Sequence, residues 1–291
     1  MSDDHPPPPR PTGGPGVTRF ATRAGQRLSY ESIGATDGIP ILGLHDLLAD
    51  RGQLRPLADA LPQDRYRLTL PDARGHGASP TISGRACPIS ELAADALAVL
   101  DAEDLAQVHI AAVGWGAGTA LGMALLAPER VASIVLAGPF LPALTGHEET
   151  LSMLRHAADA AEKGQTDRAL DLYLGLRWDV GWRDRLAKAR LGAIRRAAGS
   201  LAPLLAGTTE AALGNVTLER IGVPVTVLVA SNAGARDRHV ADVLTALVPR
   251  SRLVTSTVNG ELGSDLAQAL AGDAGQDRGR ERRGVDRSAS D

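Results

Sequence analysis

The chain has 291 residues, 44% of them hydrophobic, enough for one large domain or a domain carrying an insertion. A net charge of −3 gives no electrostatic reason to expect nucleic acid or an anionic membrane as partner. A single cysteine, Cys87, excludes an intrachain disulfide and a cysteine metal cluster, and no apolar run approaches the ~20 residues of a membrane span.

Residues 1–16 (MSDDHPPPPRPTGGPG) place acids and a proline run where a secretion signal needs positive charge and an apolar stretch. They read as a disordered tail, and the protein as cytoplasmic. Val17–Thr22 and Arg27–Ser32 read as a hairpin, and Ile39–Leu44 as a short buried strand. Leu54–Leu61 is an amphipathic helix, Tyr66–Leu70 a strand, and PDARGHGAS at 71–79 a turn-rich loop. Ser90 is the expected N-cap of a helix over Glu91–Asp101, with Leu92, Ala96 and Leu100 on one face. Val108–Val113 is a strand, Ala117–Ala127 a small-residue helix, and Val131–Ala137 a strand. The strand pattern then stops. Glu148–Glu162, Asp167–Leu176, Arg183–Ala198 and a looser stretch near Ala202–Leu213 read as helices, so 141–216 is expected to be an all-helical cap. Val223–Ala230, a helix over Val240–Leu247, the strand Arg252–Thr257 and a helix over Leu262–Ala271 close the pattern. Strands alternating with helices predict an α/β fold with a mainly parallel sheet, built from 17–140 and 217–271. The charged segment 272–291 reads as a second disordered tail. Only Lys163 and Lys188 are lysines among many arginines, which points to a GC-rich bacterial genome.

Three motifs then stand in order: LHDLLAD at 44–50, PDARGHGAS at 71–79, and VGWGAG at 113–118 between a strand and a helix. Together they resemble the oxyanion loop, the PDxRGxGxS loop and the nucleophile elbow of capped α/β-hydrolases of the esterase and epoxide-hydrolase kind, over about Val17 to Gly272. The resemblance implies a Ser-His-Asp triad, and here the sequence departs from it. The elbow centre is read as Gly116, the acid position as Ala233 and the histidine position as Glu261. Asp237 is a displaced alternative for the acid but is expected to begin a helix. Asp46 follows His45 where a small glycine is usual, and a carboxylate there would oppose a developing oxyanion.

The candidate proton-transfer residues are therefore Asp46, Glu261 and His45. Trp115, Gly116, His147, Trp178 and Trp182 are the expected lining of a small-molecule cavity, with Asp179 and His156 nearby. Trp115 reads equally well as a core residue. His76 and His109 read as packing residues, and Asp72 and Arg74 as structural partners of nearby backbone. Cys87 lacks the electropositive setting of a nucleophile. No spacing suggests a metal site or a nucleotide loop, so no cofactor is expected. Three functions fit: a non-hydrolytic enzyme of bacterial natural-product biosynthesis acting on an apolar or aromatic molecule, a catalytically silent binder, or a hydrolase with its nucleophile relocated to Ser231 or Ser79. The expected partner is a small molecule, with neither nucleic acid nor membrane, and a homodimer is left open.

Overall fold

The computed structural model describes residues 17–144, 148–178, 188–210, 215–256 and 262–272. Both predicted tails, apart from Gly272, lie outside them. The hairpin is strands β1 (Thr18–Arg23) and β2 (Gln26–Gly34), followed by β3 (Ile39–Leu44), α1 (Arg55–Ala60) and β4 (Tyr66–Pro71). Next come α2 (Ile89–Ala102), β5 (Val108–Val113), α3 (Gly116–Leu126) and β6 (Val131–Ala137). The insertion contributes α4 (Glu148–Glu162), α5 (Thr166–Trp178), α6 (Lys188–Ala197), α7 (Leu201–Glu210) and α8 (Asn215–Leu218). The chain returns through β7 (Val225–Ala230), α9 (Ala235–Leu247), β8 (Ser251–Ser256) and α10 (262–272).

The eight strands form one sheet in the order β1-β2-β4-β3-β5-β6-β7-β8. β1 and β2 pair antiparallel, as does β2 with β4, and the remaining pairs are parallel. Side chains alternate across a strand, so each central strand feeds two cores. Ile110, Ala112, Ile134 and Leu136 face one side with α2, α3 and α9. Ala111, Val113, Val135 and Ala137 face the other with α1 and α10. Burial on both faces explains why β5 carries no exposed residue.

Most boundaries shift by a residue or two, α9 starts five residues before the expected Val240, and the start of α2 differs in its cap. α2 starts at Ile89 with Pro88 at its N-cap, so Ser90 lies inside the first turn and caps nothing. The Pro88 carbonyl already accepts from Glu91 N at 3.0 Å and from Leu92 N at 3.4 Å, so the helical bonds begin before Ser90. Asp237 does fall in the first turn of α9.

The insertion sits over the sheet's C-terminal edge. Leu154, Leu170, Tyr173, Leu174, Leu201, Leu204 and Leu205 pack against Leu47, Leu48, Ile82, Leu92, Trp115 and Phe140 of the core. Each such leucine, fully buried, contributes roughly 1.5–3 kcal/mol. Backbone contacts reinforce this packing. Ile82 N donates to Ser200 Oγ at 3.0 Å, and Cys87 N donates to Pro203 O at 2.8 Å. α7 approaches so closely that a Cβ on Gly207 would lie 1.8 Å from the Cys87 carbonyl oxygen.

The register positions the site. Leu44 stands opposite Ala112, and Val113 opposite Ala137. The loops leaving β3, β5 and β6 therefore start side by side, under the insertion.

Candidate functional site

The strand-to-helix turn after β5 is the centre of this region. Gly114 takes φ +55°, and Trp115 is already helical at φ −66°, ψ −28°. A left-handed residue directly after the strand is the apex of the elbow, and glycine holds that conformation without strain. This corrects the expected apex. Gly116 is the first residue of α3, wedged where a Cβ would lie 2.8 Å from the carbonyl oxygens of Leu44 and His45. The alternation of glycines at 114, 116 and 118 fits two frames. The end of β5 at Val113, legible in the sequence, selects Gly114.

What fills the space above Gly114 is Asp46. A Cβ built on Gly114 would lie 2.3 Å from Asp46 Cγ and 2.4 Å from both carboxylate oxygens. The carboxylate thus occupies the volume that any elbow side chain would enter. Its Oδ1 accepts from Trp115 N at 2.7 Å and from Leu47 N at 2.9 Å. Two N–H groups converging on one oxygen are an anion hole, and its occupant is the chain's own side chain. Asp46 Oδ2 accepts from Arg177 Nη2 at 3.0 Å. Asp46 is therefore committed at both oxygens. Its backbone N donates to Gln53 Oε1 at 2.8 Å, which steadies the loop.

Arg177 comes from α5. Burial works against its charge, yet Asp46, with Tyr173 and Asp237, more than offsets this and holds the guanidinium above its ordinary value. It also lies over the Phe140 ring, 4.4 Å from the centroid. Tyr173, one helical turn earlier on α5, is fully buried and stacks edge-to-face with Phe140 at 6.1 Å. Burial and the Asp46 carboxylate push its phenol well above its ordinary value, with Arg177 opposing, so it is a protonated donor. That hydroxyl has no hydrogen-bond partner among the described residues. Arg177, Tyr173 and Phe140 were not singled out from the sequence. The i, i+4 spacing of Tyr173 and Arg177 is the one signal that could have paired them.

The other expected residues sort as follows. His45 Nε2 accepts from Ala73 N at 3.0 Å, and Nδ1 donates to Asp46 O at 2.8 Å. Both ring nitrogens are spent on backbone, so His45 orders its loop and has no nitrogen left for proton transfer. His76 does the same, with Leu48 N donating to Nε2 at 3.0 Å and Nδ1 donating to Arg74 O at 3.1 Å. Full burial, and secondarily His45, lower the His76 pKa to about 3. Trp115 is 4% exposed, packs in the cluster beneath the insertion and donates from Nε1 to Thr208 Oγ1 at 3.0 Å, which is the core reading of that residue. His156 is exposed. His109 is a buried core residue paired with Ser133 Oγ at 2.9 Å. Asp72 accepts from Arg51 N and Ala78 N at 2.9 Å each, as expected of a loop-ordering residue. Arg74 departs from expectation: it pairs with the Asp95 carboxylate rather than with backbone. Ala233 packs against the sheet beside α9. Glu261, His147, Asp179 and Trp182 lie outside the described residues, as does the side chain of Trp178.

Ser79 is buried between Asp72 O, to which it donates at 2.7 Å, and Ser29 N, from which it accepts at 2.9 Å. Ser231 is exposed. Burial pushes the Cys87 thiol up to about 11, despite nearby Arg74. Among the described residues no three His, Cys, Asp or Glu side chains group to hold a metal, and no helix is long and apolar enough to cross a membrane. A void of about 30 Å³ lined by His45, Asp72, Arg74, Asp95 and Trp115 lies under the loop, room for about one water.

Comparison with known proteins agrees with this architecture. Residues 39–171 match the family model described as alpha/beta hydrolase fold. The chain is 34% identical over 112 residues to the dihydrolipoyllysine-residue acetyltransferase component of an acetoin cleaving system from Pseudomonas putida, a match covering 38% of this chain and 30% of that protein. It is 33% identical over 109 residues to a putative carbamate hydrolase, RutD, of Variovorax paradoxus, covering 38% of this chain and 41% of that one. These matches span well under half the length of either curated relative. An alpha/beta hydrolase from Sphaerobacter thermophilus superposes with a TM-score of 0.72 at 18% identity, covering 88% of this chain and 99% of that one.

Proposed function

We propose that this chain, whose fold is that of the α/β-hydrolases, is a non-hydrolytic, triad-less protein that serves as a small-molecule binder. The observation that carries this reading is Asp46. Its carboxylate fills the elbow volume above Gly114 and takes both converging N–H groups. An acyl-enzyme needs an attacking atom at the apex and an empty hole for the oxyanion. Losing a triad nucleophile typically lowers kcat by about 10⁶. A carboxylate in the hole adds repulsion to that loss. The carbamate hydrolase and the acetyltransferase component named above describe those proteins, and their activities do not supply this chain with a nucleophile. Ser79 has its hydroxyl engaged in the fold, so a relocated nucleophile there is disfavoured.

A second reading is favoured by Tyr173. A buried phenol without an acceptor beside an ion pair is a hydrogen-bond donor that can polarise a substrate oxygen, which suits cofactor-independent isomerase, cyclisation or lyase chemistry on an apolar or aromatic molecule of bacterial natural-product biosynthesis. In that case Tyr173 orients and polarises the substrate by donating a hydrogen bond. Asp46 is the weaker choice, because both of its oxygens are engaged.

The test treats purified protein with a fluorophosphonate probe and with p-nitrophenyl acetate, then incubates it with a small-molecule extract followed by mass spectrometry. Absence of labelling and ester turnover, with one compound retained at unchanged mass, is the expected result. Serine labelling with turnover overturns the reading. New masses growing beyond the molar amount of protein select the second reading over the first.

A further inference from the structure

We propose that α5 carries a carboxylate-recognition pair, Arg177 with the Tyr173 hydroxyl, which in the resting protein is held by Asp46 acting as an internal ligand, so that a ligand carboxylate enters by exchange with Asp46. This rests on the non-hydrolytic reading of the same site and names the chemistry of its ligand.

The structure shows a carboxylate seated in this cradle, with Oδ1 on two backbone N–H groups and Oδ2 on a guanidinium. The complementarity of the donors to a planar, two-oxygen anion is thus displayed by the chain itself. The second, independent observation is that the cradle holds more donors than Asp46 uses. The Tyr173 hydroxyl is buried beside Arg177, within the field of Asp46, and its proton meets no acceptor among the described residues. A buried hydroxyl left unpaired is disfavoured in any fold, and it is rarely kept without a partner that arrives. Asp46 is tethered to the loop after β3, and its oxygens are already directed at Trp115, Leu47 and Arg177. A carboxylate approaching from the cap side is free of that tether and would take Arg177 and Tyr173 together.

Charge selects the exchange over simple addition. Asp46 and Asp237 both act on Arg177, so one cation already faces two acids. An added anion beside a retained Asp46 would raise the local negative charge, whereas an anion that replaces Asp46 on Arg177 keeps the balance once the displaced Asp46 carboxylate turns out of the cradle to solvent. Phe140 supports both α5 donors from below, by its face toward Arg177 and by an edge contact with Tyr173. The pair therefore keeps its geometry when the occupant changes.

The experiment titrates sodium acetate into the full chain by calorimetry at constant ionic strength, with sodium chloride and acetamide as controls. Asp46→Ala vacates the cradle and should bind acetate at least tenfold more tightly than the natural protein, without a matching gain for chloride or acetamide. Asp46→Ala with Arg177→Met should lose that gain, and Asp46→Ala with Tyr173→Phe should lose several-fold of it. Asp46→Asn keeps an acceptor for the two N–H groups, so it protects the loop where Asp46→Ala fails to fold. It should still gain acetate affinity at the released Arg177. Equal acetate affinity in the natural protein and in both Asp46 variants overturns the proposal, as does a gain indifferent to Arg177. Neither outcome depends on turnover, so the proposal can fail while the non-hydrolytic reading stands. Fluorophosphonate labelling would sink that reading without any acetate titration.

Discussion

Placing a methyl group on Gly114 tests the shared volume at the elbow directly. In Gly114→Ala the new Cβ starts 2.3–2.4 Å from three atoms of the Asp46 carboxylate. Ordinary contact is roughly 3.5 Å, so the carboxylate must retreat by about 1 Å. Overpacking of this kind costs about 1–3 kcal/mol. The left-handed backbone adds about 1–2 kcal/mol for a residue with a Cβ. If the retreat also breaks the Asp46–Arg177 pair, whose side chains are 12% and 13% exposed, about 3–5 kcal/mol more is at stake. A loss of about 2–5 kcal/mol is expected in the natural background if the ion pair survives, and about 5–10 kcal/mol if it breaks. In Asp46→Ala the obstacle is gone, and the same substitution should cost little beyond the backbone contribution. Urea unfolding of the four proteins of this cycle should therefore show a coupling of about 1–3 kcal/mol if the ion pair survives, and about 4–8 kcal/mol if it breaks. Costs that add to within about 0.5 kcal/mol would refute the shared-volume reading, because independent sites add in that way.

Three further outcomes follow from the same structure. Arg177→Met leaves the Asp46 carboxylate buried without its cation and should lower stability by about 3 kcal/mol or more, and adding Asp46→Asn should recover part of that loss in the same denaturation assay. His76 is held neutral in the fold, with its pKa lowered to about 3, while in the unfolded chain it titrates near 6.5. Below pH 6.5 the unfolded state alone gains the proton, so the folding constant should fall by up to about tenfold per pH unit down to about 3. His76→Gln, whose amide oxygen can still accept from Leu48 N, should flatten that dependence between pH 7 and 5. Cys87, buried and with its thiol raised to about 11, should resist iodoacetamide at pH 8 and react promptly in denaturant. Fast alkylation of the folded protein would mean that the segment before α2 opens freely.

Most elements were legible because each central strand is a short apolar run between turn residues, as in IPILGL at 39–44 and VHIAAV at 108–113, and both runs match their strands. The first insertion helix, Glu148–Glu162, was equally plain from its periodic pattern. The site was less legible, for identifiable reasons. Asp46 stands out in the sequence as a carboxylate where the resemblance leads one to expect glycine. What it touches could not be read, since Arg177 lies 131 residues away on a different element. Periodicity says which face of α5 is buried and not which loop it meets. The role of His45 turned on Ala73 N, supplied by a loop 28 residues further on. The apex was misread by two residues because glycines recur at 114, 116 and 118, and composition cannot tell which one must adopt the left-handed turn.

The contacts between the insertion and residues 82–87 have a consequence for modularity. Drawn on the sequence, 141–216 looks like a cassette that could be traded between related proteins. In space its α7 end is joined to the segment before α2 by Cys87 N on Pro203 O, by Ile82 N on Ser200 Oγ, and by a backbone approach that tolerates only glycine at 207. The unit that can be transplanted is therefore discontinuous: the insertion together with the 72–88 segment on which it rests. A chimera that moves the insertion alone would set a foreign helix against the Cys87 carbonyl, and its graft would fail at a position that no alignment of the insertion itself would flag.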